Sequence, residues 1–278
     1  MGKRQIKHLK TKYIANNITL YFHPEDHETA NIVESACLRS ISIIKETWHL
    51  SLSKRCCIYI MTSWIRFIFQ FAPWYVRIYY VFYYFSWAEH FRKIWPDIGG
   101  WTLNYATRTV IGIKSPRLRD IKDINFNIGK IIFTPESDIN KHIQHIVCHE
   151  MTHAFCASLK LPMWLNEGIA MITVDKFFEK MTVAKKPLEV MSMFSQKNRI
   201  AGYKNLIYMK PEEVAYNYLH GYWITRYLME TQPELLMEIL SKKINEWVLY
   251  SKLTLSLNIS QKNFWQDIDN KVTKYFSY

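Results

Sequence analysis

Two histidines four residues apart form the part of the sequence best suited to chemistry. Residues 149–153 read HEMTH. On an α-helix, positions i and i+4 lie on one face, so the imidazoles of His149 and His153 can reach the same ion. Zn²⁺ accepts neutral imidazole nitrogens, and a catalytic zinc ion usually has three protein ligands and a water. The pattern therefore predicts one Zn²⁺ ion bound by His149 and His153.

Glu150 follows the first of these histidines. A glutamate at this position lies beside the ion and can accept a proton from zinc-bound water, which makes Glu150 the predicted general base. The alternative is a helix whose histidines are simply hydrogen-bonded in the core. The lack of charge around the motif favours zinc, because burying His-Glu-His without a partner would be costly. The uncharged neighbours are Val147, Cys148, Met151, Thr152 and Ala154.

The third ligand is predicted from the segment WLNEGIA at residues 164–170. Lys160 to Met163 form a short turn, so a second helix can fold back against the first and direct Glu167 towards the histidines. Apolar neighbours predict that Glu167 is buried, and a buried carboxylate needs a partner. That partner is either the divalent ion or, as the alternative, a lysine.

HEMTHAF followed by WLNEGIA resembles the gluzincin clan of zinc metallopeptidases, and most of all the peptidase MA-like domains with their W-L-x-E-G-x-A segment. The resemblance covers roughly residues 18–245. It implies the same roles for Glu150 as general base and Glu167 as third ligand. It also implies an oxyanion donor on a later helix, for which Tyr218 is the first choice and Tyr222 or His220 are alternatives.

The sequence departs from thermolysin-like members of the clan at one position. Those members have an aspartate four residues after the third ligand, which orients the first histidine. Here that position is Met171. Metal-bound imidazoles usually donate their other N–H to a carboxylate, a carbonyl or water, so Asp175, Asn166 or a backbone carbonyl is expected to take this role.

Strands come first along the chain and helices follow, which predicts an α+β fold. We expect a small mixed sheet with a packed helix in the N-terminal half, a zinc-binding helix in the middle and a mostly helical C-terminal half, as in zincins. The predicted strands are 18–22, 55–61, 108–114 and 130–134. The predicted helices are 28–49, a zinc helix capped by Ser137 or Asp138, 164–180, 211–228, 234–250 and 262–278. By element order, the strand at 131–134 is expected to bind an extended peptide through its edge.

Three segments follow from this pattern: a basic flexible N-terminus at 1–17, a zincin-like peptidase domain at 18–250, and a helical extension at 251–278. An aromatic-rich helical insertion is predicted at 63–97. Its central run, residues 67–87, is long enough to span a bilayer but contains Gln70, Pro73 and Arg77. A charge at the bilayer centre is costly, so a buried or surface-docking helical insertion is favoured over a span, and contact with a membrane surface stays open.

Composition narrows the class of protein. The 278 residues carry a net charge of +12, yet no nucleic-acid-binding motif accompanies the charge, so we expect no nucleic-acid partner. The five cysteines contain no C-x-x-C pair, and no apolar signal segment precedes Tyr13. These features predict reduced thiols and a cytoplasmic protein, with membrane association as a further expectation.

The sequence thus predicts a zinc metallopeptidase that acts on peptides or proteins. Two alternatives remain open at this point. One is a membrane- or partner-docking protein that keeps the zincin scaffold without the activity. The other is a zinc-dependent hydrolase of a non-peptide amide, which would use the same metal chemistry.

Overall fold

The computed structural model describes residues 9–78, 81, 99–118, 127–197, 202–203 and 209–277. These residues divide into two compact units. The first takes its residues from Met1–Ser42, Leu52–Phe126 and Glu136–Ala154, and the second from Ile43–Ser51, Asn127–Pro135 and Phe155–Tyr278. The α+β class predicted from the sequence is confirmed, because the chain combines many helices with a mixed sheet of five strands.

The first unit is built on the sheet, whose order is β1-β2-β3-β5-β4. β2–β3 and β3–β5 are parallel, whereas β1 and β4 pair antiparallel at the two edges. The central strand β3 is buried over six of its seven residues, as expected of a strand covered on both faces. The strands are β1 (Lys10–Ala15), β2 (Ile18–Phe22), β3 (Arg55–Met61), β4 (Gly100–Asn104) and β5 (Arg108–Lys114).

One face of the sheet carries an aromatic cluster formed with helix α2 (Trp64–Phe71). Tyr59 of β3 stacks on Phe67, with ring centroids 6.1 Å apart. Helix α1 (His27–Trp48) buries a stripe at helical spacing that includes Ala30, Val33 and Cys37. Helix α2 is the described beginning of the predicted insertion, of which residues 79–80 and 82–97 lie outside the described part of the chain.

Helix α4 (Ile139–Cys156) carries the HEMTH motif and follows the short helix α3 (Asn127–Ile132). Asp138 is its N-terminal cap, as one of the two sequence-based alternatives had it. The Asp138 Oδ1 atom accepts hydrogen bonds from the backbone N–H groups of Asn140 (2.8 Å) and Lys141 (3.4 Å). After Cys156 a turn follows in which Lys160 has a φ of 55°, and Pro162 precedes the next helix.

The second unit is mostly helical. Its largest contact joins α5 (Met163–Phe178) and α7 (Pro211–Thr231), with α6 (Pro187–Lys197) between them in the chain. A Cβ atom on Gly221 of α7 would lie only 2.2 Å from the carbonyl oxygen of Trp164 on α5. The two helices therefore approach backbone to backbone. The remaining helices are α8 (Pro233–Ser241), α9 (Glu246–Leu257) and α10 (Phe264–Phe276).

Three strands match their sequence prediction residue for residue, but the strand predicted at 130–134 is wrong. Residues 127–132 are helical, and only Phe133 forms a bridge, to Val183. On either side of this bridge, the backbone N–H of Thr134 donates to the carbonyl oxygen of Thr182 (2.8 Å), and the backbone N–H of Ala184 donates to the carbonyl oxygen of Ile132 (2.8 Å). The β-branched composition of this segment misled the prediction. The expected peptide contact therefore loses the strand on which it was predicted.

Two strands were missed. Lys10–Ala15 form β1 although residues 1–17 were predicted to be flexible, and Gly100–Asn104 form edge strand β4 where no strand was predicted. The helix predicted at 234–250 is two helices, α8 and α9. They separate before Asn245, whose side chain caps α9 by accepting a hydrogen bond from the backbone N–H of Val248 (2.8 Å).

Candidate metal centre

The three predicted ligand residues lie together. A ring nitrogen of His149, a ring nitrogen of His153 and a carboxylate oxygen of Glu167 are all within 4.8 Å of one another. Both histidines are half-buried and Glu167 is 2% exposed. Within the described part of the chain, no other group of three histidine, cysteine or acidic side chains has this geometry.

The donor set fits a zinc ion. The Nε2 atoms of His149 and His153 are 3.0 Å apart, and the two rings are nearly perpendicular at 89°. Two nitrogens that each lie about 2.0–2.1 Å from a tetrahedral ion would be roughly 3.3 Å apart, close to the distance seen. Two imidazoles and one carboxylate are also a ligand set that catalytic zinc sites use.

Glu150 is buried, at 8% exposure, and its carboxylate has a defined partner. The Thr102 hydroxyl on β4 donates a hydrogen bond of 2.6 Å to Oε2 of Glu150. Gly100 lies on the same strand, two residues earlier. A Cβ atom there would lie 2.7 Å from Cγ and 2.9 Å from Oε1 of Glu150, so only glycine leaves room for the glutamate in this position.

Glu167 is held by a tyrosine that the sequence analysis did not single out. The Tyr203 hydroxyl donates to Oε1 of Glu167 at 2.6 Å and accepts a hydrogen bond from Nδ2 of Asn166, also at 2.6 Å. The pKa of Tyr203 is raised well above its usual value, mainly by desolvation of the hydroxyl and to a lesser extent by the negative charge of Glu167. Tyr203 is therefore a neutral donor at physiological pH.

The three candidates for the oxyanion donor have different surroundings. Tyr218 on α7 is half-buried and close enough to Tyr203 to contribute to the rise in the pKa of Tyr203. Tyr222 donates to Oδ2 of Asp175 at 2.6 Å, and Nε2 of the buried His220 lies 2.7 Å from Oδ1 of Asp269. Tyr222 and His220 thus each contact a carboxylate, and Tyr218 stays the first choice on the resemblance alone.

The two side chains suggested as partners of the imidazoles have other contacts. Oδ1 of Asp175 accepts hydrogen bonds from the backbone N–H and the hydroxyl of Thr182, both at 2.7 Å, and Oδ2 accepts from Tyr222. Asn166 donates to Tyr203. Asp175 thus connects α5 to α7 and to the segment that follows α5.

Other reactive side chains near the motif are unsuited to nucleophilic chemistry. Cys148 and Cys156 are buried, and desolvation raises the pKa of each thiol to about 12. A thiolate is the reactive form of cysteine, so these residues pack rather than react at neutral pH. The pKa of His145 is lowered well below its usual value, mainly by burial and to a lesser extent by repulsion from the nearby His149 and His142. The His145 ring is therefore neutral.

Comparison of the chain with protein-family models finds no match, and comparison with curated proteins finds no significant match.

Of the residues at this centre, Thr102 and Tyr203 carried no signal in the sequence. Thr102 lies where no strand was predicted, and the alternation of Trp101 and Leu103 with Thr102 and Asn104 indicates a strand but not a contact with Glu150. Tyr203 is one of 18 tyrosines and stands in a polar connection between helices. Neither residue could be assigned to the centre without the fold.

Proposed function

We propose that the protein is a zinc-dependent metallopeptidase with a zincin-like arrangement of its helices. The observation that carries the proposal is the mutual distance of the ligand atoms of His149, His153 and Glu167, together with the buried carboxylate of Glu150 next to the first histidine. The substrate class is peptides or proteins. The resemblance of HEMTHAF and WLNEGIA to gluzincin peptidases supports this choice.

His149, His153 and Glu167 would hold the ion. Bound zinc would act as a Lewis acid that makes water a stronger nucleophile and polarises the carbonyl of the substrate. Glu150 accepts the proton that the attacking water loses, and then donates it to the nitrogen of the departing amine. Tyr218 donates a hydrogen bond to the carbonyl oxygen as that oxygen gains negative charge.

The test combines metal analysis with one substitution. Purified protein is expected to contain one zinc per chain and to cleave fluorescein-labelled casein, and a chelator is expected to abolish cleavage until zinc is restored. Glu150→Gln keeps the ligands but removes the base, so we expect zinc to be retained and kcat to fall by roughly 10²- to 10⁴-fold.

Glu28→Gln is the matched control, because Glu28 lies exposed in the first turn of α1. His153→Ala should lose both zinc and activity, because it removes a ligand. The proposal is wrong if the purified chain binds no zinc, or if Glu150→Gln cleaves casein as fast as the parent protein while zinc is retained.

A second role, contact with an anionic membrane surface, is favoured by a separate observation. Residues 74–78 and residue 81 are helical and follow α2, and four of their apolar side chains are exposed. They are Trp74 (72%), Tyr75 (55%), Ile78 (48%) and Val81 (54%). No helix within the described ranges is both long and apolar enough to cross a bilayer.

A further inference from the structure

Edge strand β4 has two faces with different partners. Trp101 and Leu103 pack against the aromatic cluster on the α2 side of the sheet, and the rings of Trp101 and Trp64 have centroids 4.4 Å apart. Successive side chains of a strand point to opposite faces. Gly100 and Thr102 therefore point to the other face, where they contact Glu150 of α4.

The register of β4 is fixed on both sides. Its backbone pairs with β5, so that Gly100 lies opposite Ile113 and Thr102 opposite Ile111. A slip by one residue would turn Trp101 and Leu103 out of the aromatic cluster, which would expose large apolar side chains to water. The packing of the tryptophan and the leucine thus holds the threonine hydroxyl at Glu150.

The two oxygens of the Glu150 carboxylate lie beside different residues of β4. The Thr102 hydroxyl has one proton, and the 2.6 Å contact to Oε2 is shorter than the 3.2 Å contact to the Glu150 carbonyl, so the proton goes to Oε2. Oε1 instead lies beside Gly100, which has no side chain to obstruct it. The Thr102 hydroxyl thereby anchors one oxygen, and the other lies where β4 has no side chain.

We propose that Thr102 is a positioning residue for Glu150, and that Gly100 provides the space in which Oε1 can accept a proton. This inference rests on the proposed function, because Glu150 needs a fixed orientation only if it acts as a base. A base acts efficiently when it is held in the productive geometry by packing and by a supporting hydrogen bond. β4 supplies both.

The test uses two substitutions at one position. Thr102→Val has nearly the same shape and loses only the hydroxyl, whereas Thr102→Ser keeps the hydroxyl. With the zinc-loaded full chain and fluorescein-labelled casein, Thr102→Val is expected to lower kcat roughly ten- to hundredfold, because a hydrogen bond to a charged group is lost. KM and zinc content should not change, and Thr102→Ser should restore most of kcat.

Thr109→Val is the matched control. Thr109 is a buried threonine on the neighbouring strand β5, and its hydroxyl donates to Oδ1 of Asn104 at 2.9 Å rather than to Glu150. If loss of any buried hydroxyl in this sheet lowered kcat through stability alone, Thr109→Val would do so as well. We expect kcat of this control to equal that of the parent protein.

A second measurement does not depend on activity. Crystal structures of the zinc-loaded parent protein and of Thr102→Val are expected to differ in the Glu150 side chain, whose carboxylate should leave its position beside Gly100. The inference is overturned if the carboxylate stays in place in Thr102→Val, or if an active parent protein and Thr102→Val have the same kcat. A parent protein without zinc or activity would instead overturn the proposed function, and the orientation of Glu150 in the two structures would still decide the role of Thr102.

Discussion

Tyr203 connects the third predicted ligand to its neighbour in the sequence. Its hydroxyl donates to Glu167 and accepts from Asn166, so the carboxylate is held in one orientation from outside its own helix. Replacing Tyr203 by phenylalanine keeps the ring and removes this donor. Residues that orient metal ligands typically contribute a factor of 10–100 to metal affinity, and we expect Tyr203→Phe to weaken zinc binding by roughly that factor.

Competition with a chromogenic chelator measures this affinity. Tyr250→Phe is a suitable control. The Tyr250 hydroxyl accepts a hydrogen bond of 3.4 Å from Trp164, which lies on the same helix as Glu167 but is not a predicted ligand. Equal zinc affinity in Tyr203→Phe and the parent protein would contradict the positioning of Glu167 by Tyr203. A fall in kcat with unchanged zinc affinity would assign the hydroxyl to the substrate instead.

At the scale of residues, what could be predicted depended on distance along the chain. The i, i+4 spacing of His149 and His153 follows from helix geometry, and Glu167 is fourteen residues further on, after a single turn. In contrast, the contact between Thr102 and Glu150 joins residues 48 apart, and that between Tyr203 and Glu167 joins residues 36 apart. Contacts at these separations depend on how the elements pack, which periodicity alone does not reveal.

The helix that carries Glu167 is placed by an unusually close contact with α7. A Cβ atom on Gly221 would meet the carbonyl oxygen of Trp164 at 2.2 Å and its Cα at 2.9 Å. Both are backbone atoms and cannot rotate away. Gly221→Ala must therefore push α5 and α7 apart, and we expect the free energy of unfolding to fall by about 1–3 kcal/mol, as in other overpacked cores.

Urea denaturation followed by circular dichroism measures this change. Gly129→Ala is the matched control, since Gly129 is also helical but a Cβ atom there would meet nothing within 4 Å. That substitution should be neutral or stabilise the protein by roughly 0.5–1 kcal/mol, because alanine restricts the unfolded chain more than glycine does. A Gly221→Ala protein that unfolds at the same urea concentration as the parent would show that the helices can separate without cost.

At the scale of elements, the predictions succeeded where hydrophobic pattern and packing agree. β2, β3 and β5 are central and strongly apolar, and the sequence predicted their bounds. The segment at 130–134 is as rich in β-branched residues as these strands, but among the described residues its one β pairing is the bridge to Val183. β4 was missed for the opposite reason, because Gly99 precedes it, Gly100 begins it, and the strand it pairs with is β5.

At the scale of the whole molecule, the order of strands and helices along the chain was enough to predict the α+β class. The parallel pairing of β2 with β3 needs a crossover connection, which contains α1, whereas β1 pairs antiparallel with β2 and β4 antiparallel with β5. The sequence also predicted an aromatic-rich insertion and left its contact with a membrane surface open. The described part of this insertion exposes Trp74 and Tyr75, and the membrane contact stays a prediction.

The surface charge around those aromatic side chains indicates which membrane they would meet. Residues 63–78 contain Arg66 and Arg77 and no acidic residue, and the chain as a whole carries a net charge of +12. Basic residues near an anionic lipid surface contribute about 1 kcal/mol each, and tryptophan and tyrosine favour the interface. We therefore expect the protein to float with vesicles that contain phosphatidylserine and to remain largely unbound with vesicles of phosphatidylcholine alone.

Substitution of one exposed tryptophan at a time shows whether this surface is the contact. Trp74 and Trp247 have almost the same exposure, 72% and 71%, but Trp247 belongs to α9 of the second unit and not to the segment after α2. Trp74→Ser should weaken binding to phosphatidylserine vesicles roughly tenfold, because a large apolar side chain no longer enters the interface. Trp247→Ser should bind as the parent protein does. Equal losses in the two variants, or none in Trp74→Ser, would mean that any lipid binding comes from general basic charge and not from the surface formed by Trp74, Tyr75, Ile78 and Val81.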